Sequence, residues 1–377
     1  MKFSKALAIL AILAAGSLAM AAEFGGIISN STKFQGDASL NAFQDNCLDL
    51  WIRTPFTNDG SIYFATEGTV EFEYKQVENF SGLKYDLPLF KFGVNKEIAK
   101  SSIQFSCGRF YSADSTGFIF SQPMDGAYFA LNLPGIQLSA EAAYTGLINS
   151  RKVVLLDKNA EGMSEDPVSF ANGYNLSENY IVGYGKISFP YLIANQTVFL
   201  DATTVIGIAG NEENTRHYGT LGFNGQIAKC VFYNVSSTAE FIQDTKDFAN
   251  LSTLNISIYP NFWNSQIAVN TVYASGKFCS LTSSVASKAI SEPETRGILK
   301  SGIFTSVKPF NNLLIMAQAD VLFNADQTFD YNGFQWQAEV KTNIFTDFEI
   351  SGGAFQFLGA KPEDNNFGLK ITAALSF

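Results

Sequence analysis

Apolar and polar residues alternate through much of the chain, and the carboxy-terminal residues show this pattern most clearly. From Phe367 to Phe377, every odd position is apolar and every even position is polar or small. Side chains of a strand alternate between its two faces, so this segment predicts a strand with one apolar face and one polar face. The alternation continues to the last residue, which is a phenylalanine.

The amino-terminal residues predict export. Lys2 and Lys5 precede an apolar run from Ala6 to Leu18, and Ala19-Met20-Ala21 fits a small-x-small cleavage site. Residues 1–21 are therefore expected to be a secretory signal peptide, which leaves residues 22–377 as a single domain. No later stretch approaches the ~20 consecutive apolar residues of a membrane helix. If the mature chain spans a membrane, it must do so as a closed barrel.

The segment from Ser61 to Lys75 indicates which face would meet lipid. Val70 and Phe72 share one face, whereas Glu67, Glu71 and Glu73 share the other. A charge that faces lipid costs several kcal/mol. The glutamates must therefore face water inside a barrel, and the same parity predicts the inward face of the other strands.

Turns divide the chain into hairpins. Eight short turns, with one strand at each end of the chain, predict about 18 strands, or 16 if the weak opening strand near Glu23 to Ser29 is dropped. The intervening connections are longer. They include predicted loops from Asn30 to Asp45 and from Gln76 to Asp86, and the longest runs from Leu147 to Glu178. Aromatic residues flank the short turns and predict a girdle at the level of the headgroups: Phe56, Phe189, Tyr191, Tyr259, Phe262, Trp263, Phe310, Phe345 and Phe348.

The signal peptide, the alternating strands, the short turns and the terminal Phe377 together resemble the bacterial outer-membrane β-barrel porins with 16–18 strands. The resemblance implies an all-β, antiparallel, up-and-down transmembrane barrel in the outer membrane, with Phe377 as an assembly signal. Sparse Arg, abundant Phe and Asn, and an acidic balance resemble a spirochaete outer-membrane protein in composition.

The same resemblance implies passive diffusion of small hydrophilic solutes or ions and requires no cofactor. The expected partners are outer-membrane lipids and the barrel-assembly machinery. Porins of this class often form trimers, which makes a homotrimer an expectation.

Parity assigns a set of charged residues to the pore wall. Acids outnumber bases in this set, which predicts a mild preference for cations. The candidates are Asp49, Arg53, Glu67, Glu71, Glu73, Lys91, Glu141, Lys186, Asp201, Asp320, Glu339, Lys341 and Lys370.

Two long connections are candidates for a loop that narrows the pore. The first, Tyr111 to Asp125, contains Asp114 and Asp125 and resembles the third loop of porins in its position; the second is Leu147 to Glu178. Either could instead be an ordinary surface loop. Arg109, just before the first loop, has the parity of the outward residues and would face the pore only if a bulge shifted the register.

Other classes of function find little support. The net charge of −10 argues against a nucleic-acid partner, which would need clustered Lys and Arg. The only histidine, His217, has Gly219 where some outer-membrane hydrolases place a serine, so no catalytic residue is predicted. A single histidine also excludes a His-rich metal centre, and the four cysteines have no C-x-x-C spacing. The alternative to a porin is a surface barrel whose loops act as an adhesin.

Overall fold

The computed structural model describes residues 22–36, 41–76, 80–146, 180–208, 215–281, 286–287, 293–294, 297–325 and 329–377. The signal peptide predicted for residues 1–21 lies outside this part of the chain, as does the loop predicted from Leu147 to Glu178. Within the described residues, no helix has the length and apolar character needed to cross a membrane.

Eighteen strands form one antiparallel sheet that closes on itself, and the two-residue strands Ala286–Ser287 and Pro293–Glu294 pair separately. Each strand pairs with its neighbours along the chain, and β1 pairs with both β2 and β18. Their bounds are β1 Glu23–Gly36, β2 Asn41–Pro55, β3 Ile62–Lys75, β4 Phe80–Ile98, β5 Ser101–Ala113, β6 Ser121–Leu133, β7 Ile136–Tyr144, β8 Tyr180–Ile193, β9 Gln196–Gly207, β10 Arg216–Ala228, β11 Val231–Ile242, β12 Asp247–Ile258, β13 Gln266–Ala274, β14 Ile298–Phe310, β15 Leu313–Asn324, β16 Tyr331–Phe345, β17 Phe348–Gly359 and β18 Asn366–Ser376. The up-and-down barrel is confirmed, with 18 strands rather than 16, and the opening strand is present as β1.

The two faces of the wall follow the alternation in the sequence. On β3, Tyr63 and Ala65 are buried on the inner face, whereas Val70 and Phe72 are exposed on the outer face. The outer face of β18 carries Leu369, Ile371 and Leu375, which are likewise exposed. An outer wall of exposed aliphatic and aromatic side chains suits contact with lipid.

One end of the barrel carries the tight turns. Most of the aromatics predicted to flank them are exposed there, including Tyr191, Trp263, Phe310 and Phe345. In the turn between β2 and β3, hydrogen bonds from Thr57 and Ser61 lower the pKa of Asp59 to about 2. We call this end the short-turn end and the opposite one the long-loop end.

Several strands are longer than the sequence predicted at the long-loop end. The predicted loop from Asn30 to Asp45 is wrong at both of its ends, because β1 runs to Gly36 and β2 starts at Asn41. The predicted loop from Gln76 to Asp86 is also mostly strand, since β4 starts at Phe80. These stretches were predicted as loops because they are rich in polar residues. The strands nevertheless continue there, and their backbone pairing extends beyond the apolar band.

Candidate channel and its inward loops

The cross-strand register shows which charged residues share the inner face. Residues directly opposite each other in antiparallel strands lie on the same face. Thr69 pairs with both Asp49 and Asp86, and Ala65 pairs with both Arg53 and Lys91. Following the register around the barrel puts all the predicted pore-wall charges on this face: Asp49, Arg53, Glu67, Glu71, Glu73, Lys91, Glu141, Lys186, Asp201, Asp320, Glu339, Lys341 and Lys370.

The inner face of β2, β3 and β4 is polar and partly exposed. Thr69 donates a hydrogen bond of 2.6 Å from Oγ1 to Oδ1 of Asp49. Nearer the short-turn end, the Arg53 guanidinium lies 4.6 Å from the centre of the Tyr63 ring, and Lys91 Nζ lies 5.8 Å from the same centre. This sector therefore carries carboxylates along its middle and two cations around one tyrosine.

Charged residues of β16, β17, β18 and β1 continue this polar surface. Lys341 Nζ lies 2.8 Å from Oε1 of Glu349, and Lys370 is exposed and pairs in register with Lys33. Lys33 Nζ lies 5.3 Å from the centre of the Phe355 ring. Sequence reasoning missed Lys33 because it assigned that residue to a loop; continuing the alternation from Ser29 would have found it.

The opposite side of the barrel is filled. At the long-loop ends of β6 to β15, inward side chains form one apolar cluster, which Phe357 of β17 joins and most of whose members are almost completely buried. The cluster includes Met124, Tyr180, Val182, Val205, Tyr218, Leu251, Ile298, Leu322 and Phe357. A barrel of this size would otherwise enclose a wide aqueous space. The unfilled part is therefore displaced toward β16 to β18 and β1 to β4.

Asp114 organises the first segment that folds into the barrel, residues 114–120 between β5 and β6. Its Oδ1 accepts hydrogen bonds from the backbone N–H groups of Ile119 (2.9 Å) and Phe120 (3.0 Å), and its Oδ2 accepts one from Thr116 N–H (2.7 Å). Gly117 supplies the positive φ of 70° that the turn requires. We call this segment the first inward loop; the predicted Tyr111–Asp125 loop is thus shorter, since its flanks belong to β5 and β6.

The apolar tip of the first inward loop contacts the filled side. Ile119 and Phe120 are completely buried, and the Phe120 ring packs edge-on against that of Tyr184 on β8, with 5.8 Å between ring centres. Asp114 is itself buried, and its carboxylate accepts hydrogen bonds from Thr116, Ile119 and Phe120 of the loop. Its position suits a structural role in holding the loop better than a charge exposed to solute.

A second inward loop, residues 275–281 after β13, meets the first. Leu281 donates a backbone hydrogen bond of 2.8 Å to the carbonyl of Ile119. Phe278 is completely buried and packs edge-on against Tyr218, with 6.2 Å between ring centres. The sequence did not predict this loop as a constriction. The apolar pair Phe278-Cys279 within an otherwise polar connection is the signal that could have indicated it.

Arg109 lies in a buried ion-pair cluster. Its Nη1 is 3.1 Å from Oδ2 of Asp125, and its Nη2 is 3.8 Å from Oδ1 of Asp86, which lies on the inner face. Gly108 immediately before it has a φ of 112°, which marks a local irregularity of the strand. This is the kind of distortion that Arg109 needs to reach an inner-face carboxylate. Asp125 is thus paired to Arg109 within β5 and β6, outside the first inward loop.

Three of the predicted pore-wall acids are nearly buried within the filled side. Asp320 accepts hydrogen bonds from Gln318 and Gln335, and Glu141 accepts one of 2.6 Å from Ser112. Asp201 is also buried. The other predicted wall charges are at least partly exposed. Register alone does not distinguish these two groups, because the difference comes from the inward loops that cover one side.

His217 lies on the outer face of β10, near the long-loop end. Its ring contacts Thr204 Oγ1 and Gln243 Oε1, each at 3.2 Å, and stacks on the Phe241 ring. No group of histidine, cysteine and acidic residues within the described residues could hold a metal ion. Arg216, the neighbour of His217, faces inward and pairs with Glu240; neither residue was predicted from the sequence.

The fold is a closed antiparallel barrel of 18 strands with two loops that fold inward, an architecture similar to that of porins. The fold is similar to that of OpdL from Pseudomonas aeruginosa, with a TM-score of 0.64, 8% identity, and coverage of 95% of this chain and 99% of that one. A BenF-like porin from Pseudomonas fluorescens gives a TM-score of 0.64 at 8% identity, covering 95% and 98%. OccK2 from Pseudomonas aeruginosa, solved in complex with glucuronate, gives 0.63 at 9% identity, with the same coverage.

No known protein family and no curated protein matches the chain. At such low identity the structural likeness establishes the fold, and the fold supports the outer-membrane location expected from the sequence. The matches with Pseudomonas porins give no support to the spirochaete likeness in composition.

Proposed function

We propose that this protein is an outer-membrane channel for passive diffusion of small hydrophilic solutes or ions. The observation that carries the proposal is the uneven filling of the barrel. One side is closed by an apolar cluster and two inward loops, while the charged inner faces of β16 to β18 and β1 to β4 stay partly exposed. Such an arrangement leaves a narrowed, charged and water-accessible path along one side of the wall.

The solved neighbours support a channel for small solutes. OccK2 was solved with glucuronate and OpdK with vanillate, and both of these ligands are small carboxylates. For this chain we propose small hydrophilic molecules or ions of comparable size. Nothing in the proposed path requires a cofactor or a catalytic residue.

A mild preference for cations is the finer part of the proposal. Arg53 and Lys341 each have a carboxylate partner, Glu23 at 3.6 Å and Glu349 at 2.8 Å, which offsets part of their charge. Glu67 lies in the field of two further acids, Asp49 and Asp86. A local excess of carboxylates attracts cations and repels anions in a low-dielectric wall.

The remaining partners follow from the outer surface and the termini. We propose that outer-membrane lipids contact the exposed apolar wall and that the barrel-assembly machinery recognises Phe377. The short-turn end would face the periplasm, with both termini on that side.

The signal peptide, the single domain of residues 22–377 and a homotrimer stay predictions. Cross-linking in native membranes would test the trimer.

Planar-bilayer recording tests the channel and its selectivity together. The purified protein should insert with stepwise current increases, and under a KCl gradient the reversal potential should favour potassium. Insertions that carry no current would contradict the channel. A reversal potential that favours chloride would contradict the cation preference but not the channel. This measurement comes first because the ligands of OccK2 and OpdK are carboxylates.

A further inference from the structure

The buried pair Arg216–Glu240 connects the barrel wall to the second inward loop. Arg216 Nη1 on β10 lies 3.0 Å from Oε1 of Glu240 on β11, and their side chains are 4% and 0% exposed. The other carboxylate oxygen, Oε2 of Glu240, accepts a hydrogen bond of 2.9 Å from the backbone N–H of Cys279. One carboxylate thus holds both a charged partner in the wall and the backbone of the loop.

Tyr218 reinforces the same attachment. Its hydroxyl donates a hydrogen bond of 2.9 Å to the carbonyl of Cys279, so both polar backbone atoms of this residue are bound by the wall. Cys279 is 1% exposed. The base of the loop is held separately, where Ser275 N–H donates to the carbonyl of Asn250 and Ser275 Oγ accepts from Asn250 N–H.

The Arg216–Glu240 ion pair is buried inside the barrel. Burying two charges is costly, and well-packed apolar residues at such sites are often at least as stabilising. A buried charge-assisted hydrogen bond to a backbone N–H, in contrast, fixes a loop in one place. The pair is better explained by the positioning of the loop than by the stability of the wall.

We propose that Arg216 and Glu240 are a positioning pair that fixes the second inward loop inside the barrel and thereby sets the width of the channel. The first inward loop is fixed in turn, since Leu281 donates its backbone hydrogen bond to Ile119. The consequence for conduction rests on the proposed channel function. The attachment of the loop does not, and the two are tested separately.

Cys279 is a natural reporter of that attachment. In a parent protein with Cys47, Cys107 and Cys230 changed to Ser, Cys279 is the only thiol, and a membrane-impermeant maleimide should label it slowly. Glu240→Ala should raise the labelling rate by about tenfold or more, because the loop loses its anchor and opens more often. Tyr218→Phe, which removes only one hydroxyl, should raise the rate by less.

Thr238→Val is the matched control. Thr238 is completely buried two residues from Glu240 on the same face of β11, but its hydroxyl contacts Thr220 rather than the loop. This variant should label at the parent rate. All variants are first shown to be folded by the shift of the unheated protein on SDS gels.

Single-channel conductance completes the test. Folded Glu240→Ala and Tyr218→Phe proteins should show higher conductance than the parent, and Thr238→Val should not. Parent-like labelling of Cys279 in both folded variants would overturn the positioning role, whatever the conductance. If the parent carries no current but Glu240→Ala and Tyr218→Phe label faster than the parent, the result supports the positioning of the loop and contradicts the channel function.

Discussion

Gly26 and Phe377 exchange two backbone hydrogen bonds, one from Gly26 N–H to the carbonyl of Phe377 at 2.9 Å and one in return at 3.0 Å. This pair lies where β1 meets the end of β18, so the last residue of the chain helps to close the barrel. The Phe377 ring is 61% exposed and lies at the short-turn end with the other exposed aromatics. Its backbone and its ring therefore have separable roles.

The absence of a side chain at Gly26 is required for this closure. A Cβ there would lie 2.7 Å from Cζ of Phe377 and 2.8 Å from the carbonyl oxygen of Asp49. We expect Gly26→Val to lower the folded fraction in lipid vesicles, with a cost of about 1–3 kcal/mol from overpacking. Gly68→Val is the control, because a Cβ at Gly68 meets nothing within 4 Å. Equal folded fractions for the two variants on unheated SDS gels would contradict the prediction.

Removing the Phe377 ring should affect assembly in cells more than folding in vitro. Phe377→Ala keeps the backbone hydrogen bonds with Gly26 but removes the group that we propose the assembly machinery reads. We expect a lower yield of folded protein in outer-membrane fractions, with unchanged folding into pure lipid vesicles. Phe345→Ala removes a comparably exposed ring at the same end and should leave both yields unchanged. Equal yields of the two variants in cells would count against an assembly signal.

Asp114 should control the shape of the first inward loop. Asp114→Ala removes the acceptor for the buried N–H groups of Ile119 and Phe120, each of which costs about 1–3 kcal/mol if left unsatisfied. The loop should leave its buried position, and single-channel recordings should show higher and noisier current. Asp59→Ala removes a similar acceptor, for Ser61 N–H, in an exposed turn at the short-turn end. The conductance of Asp59→Ala should match that of the unaltered protein. An unaltered conductance of Asp114→Ala would contradict the role of the Asp114 carboxylate in holding the loop.

The ion pairs of Arg109 and Arg53 should differ in their contribution to stability. The Arg109 side chain is 4% exposed and that of Asp125 is 21% exposed, and loss of one partner of a buried pair costs up to about 3–5 kcal/mol. Arg53 and Glu23 are largely exposed, and such a pair contributes about 0–1 kcal/mol. We therefore expect Arg109→Met to lower the urea midpoint of unfolding in vesicles far more than Arg53→Met. Similar midpoints for the two variants would show that the buried cluster does not stabilise the barrel.

The alternation along the chain predicted the faces of the strands better than it predicted where the strands end. The parity that put Glu67 and Glu71 inside and Val70 and Phe72 outside agrees with the register of β3. The same reading ended β1 too early, because polar residues such as Lys33 face the interior of a strand that continues past the apolar band. The pairing of β5 with β4 and β6 shows no register shift at Arg109, and the sequence could not show that its side chain is nevertheless buried against Asp86 and Asp125.

The sequence by itself determined that the chain forms alternating strands, their approximate number and which residues of a strand share a face. These features are local: a strand has a period of two residues, and lipid and water select opposite side chains at successive positions. Only the tertiary structure decided which side of the barrel is filled and which charges are buried. Those outcomes depend on contacts between segments far apart in the chain, such as Cys279 with Glu240 and Leu281 with Ile119. No periodic pattern encodes such contacts, because each forms only where the closed barrel brings two loops and the wall together.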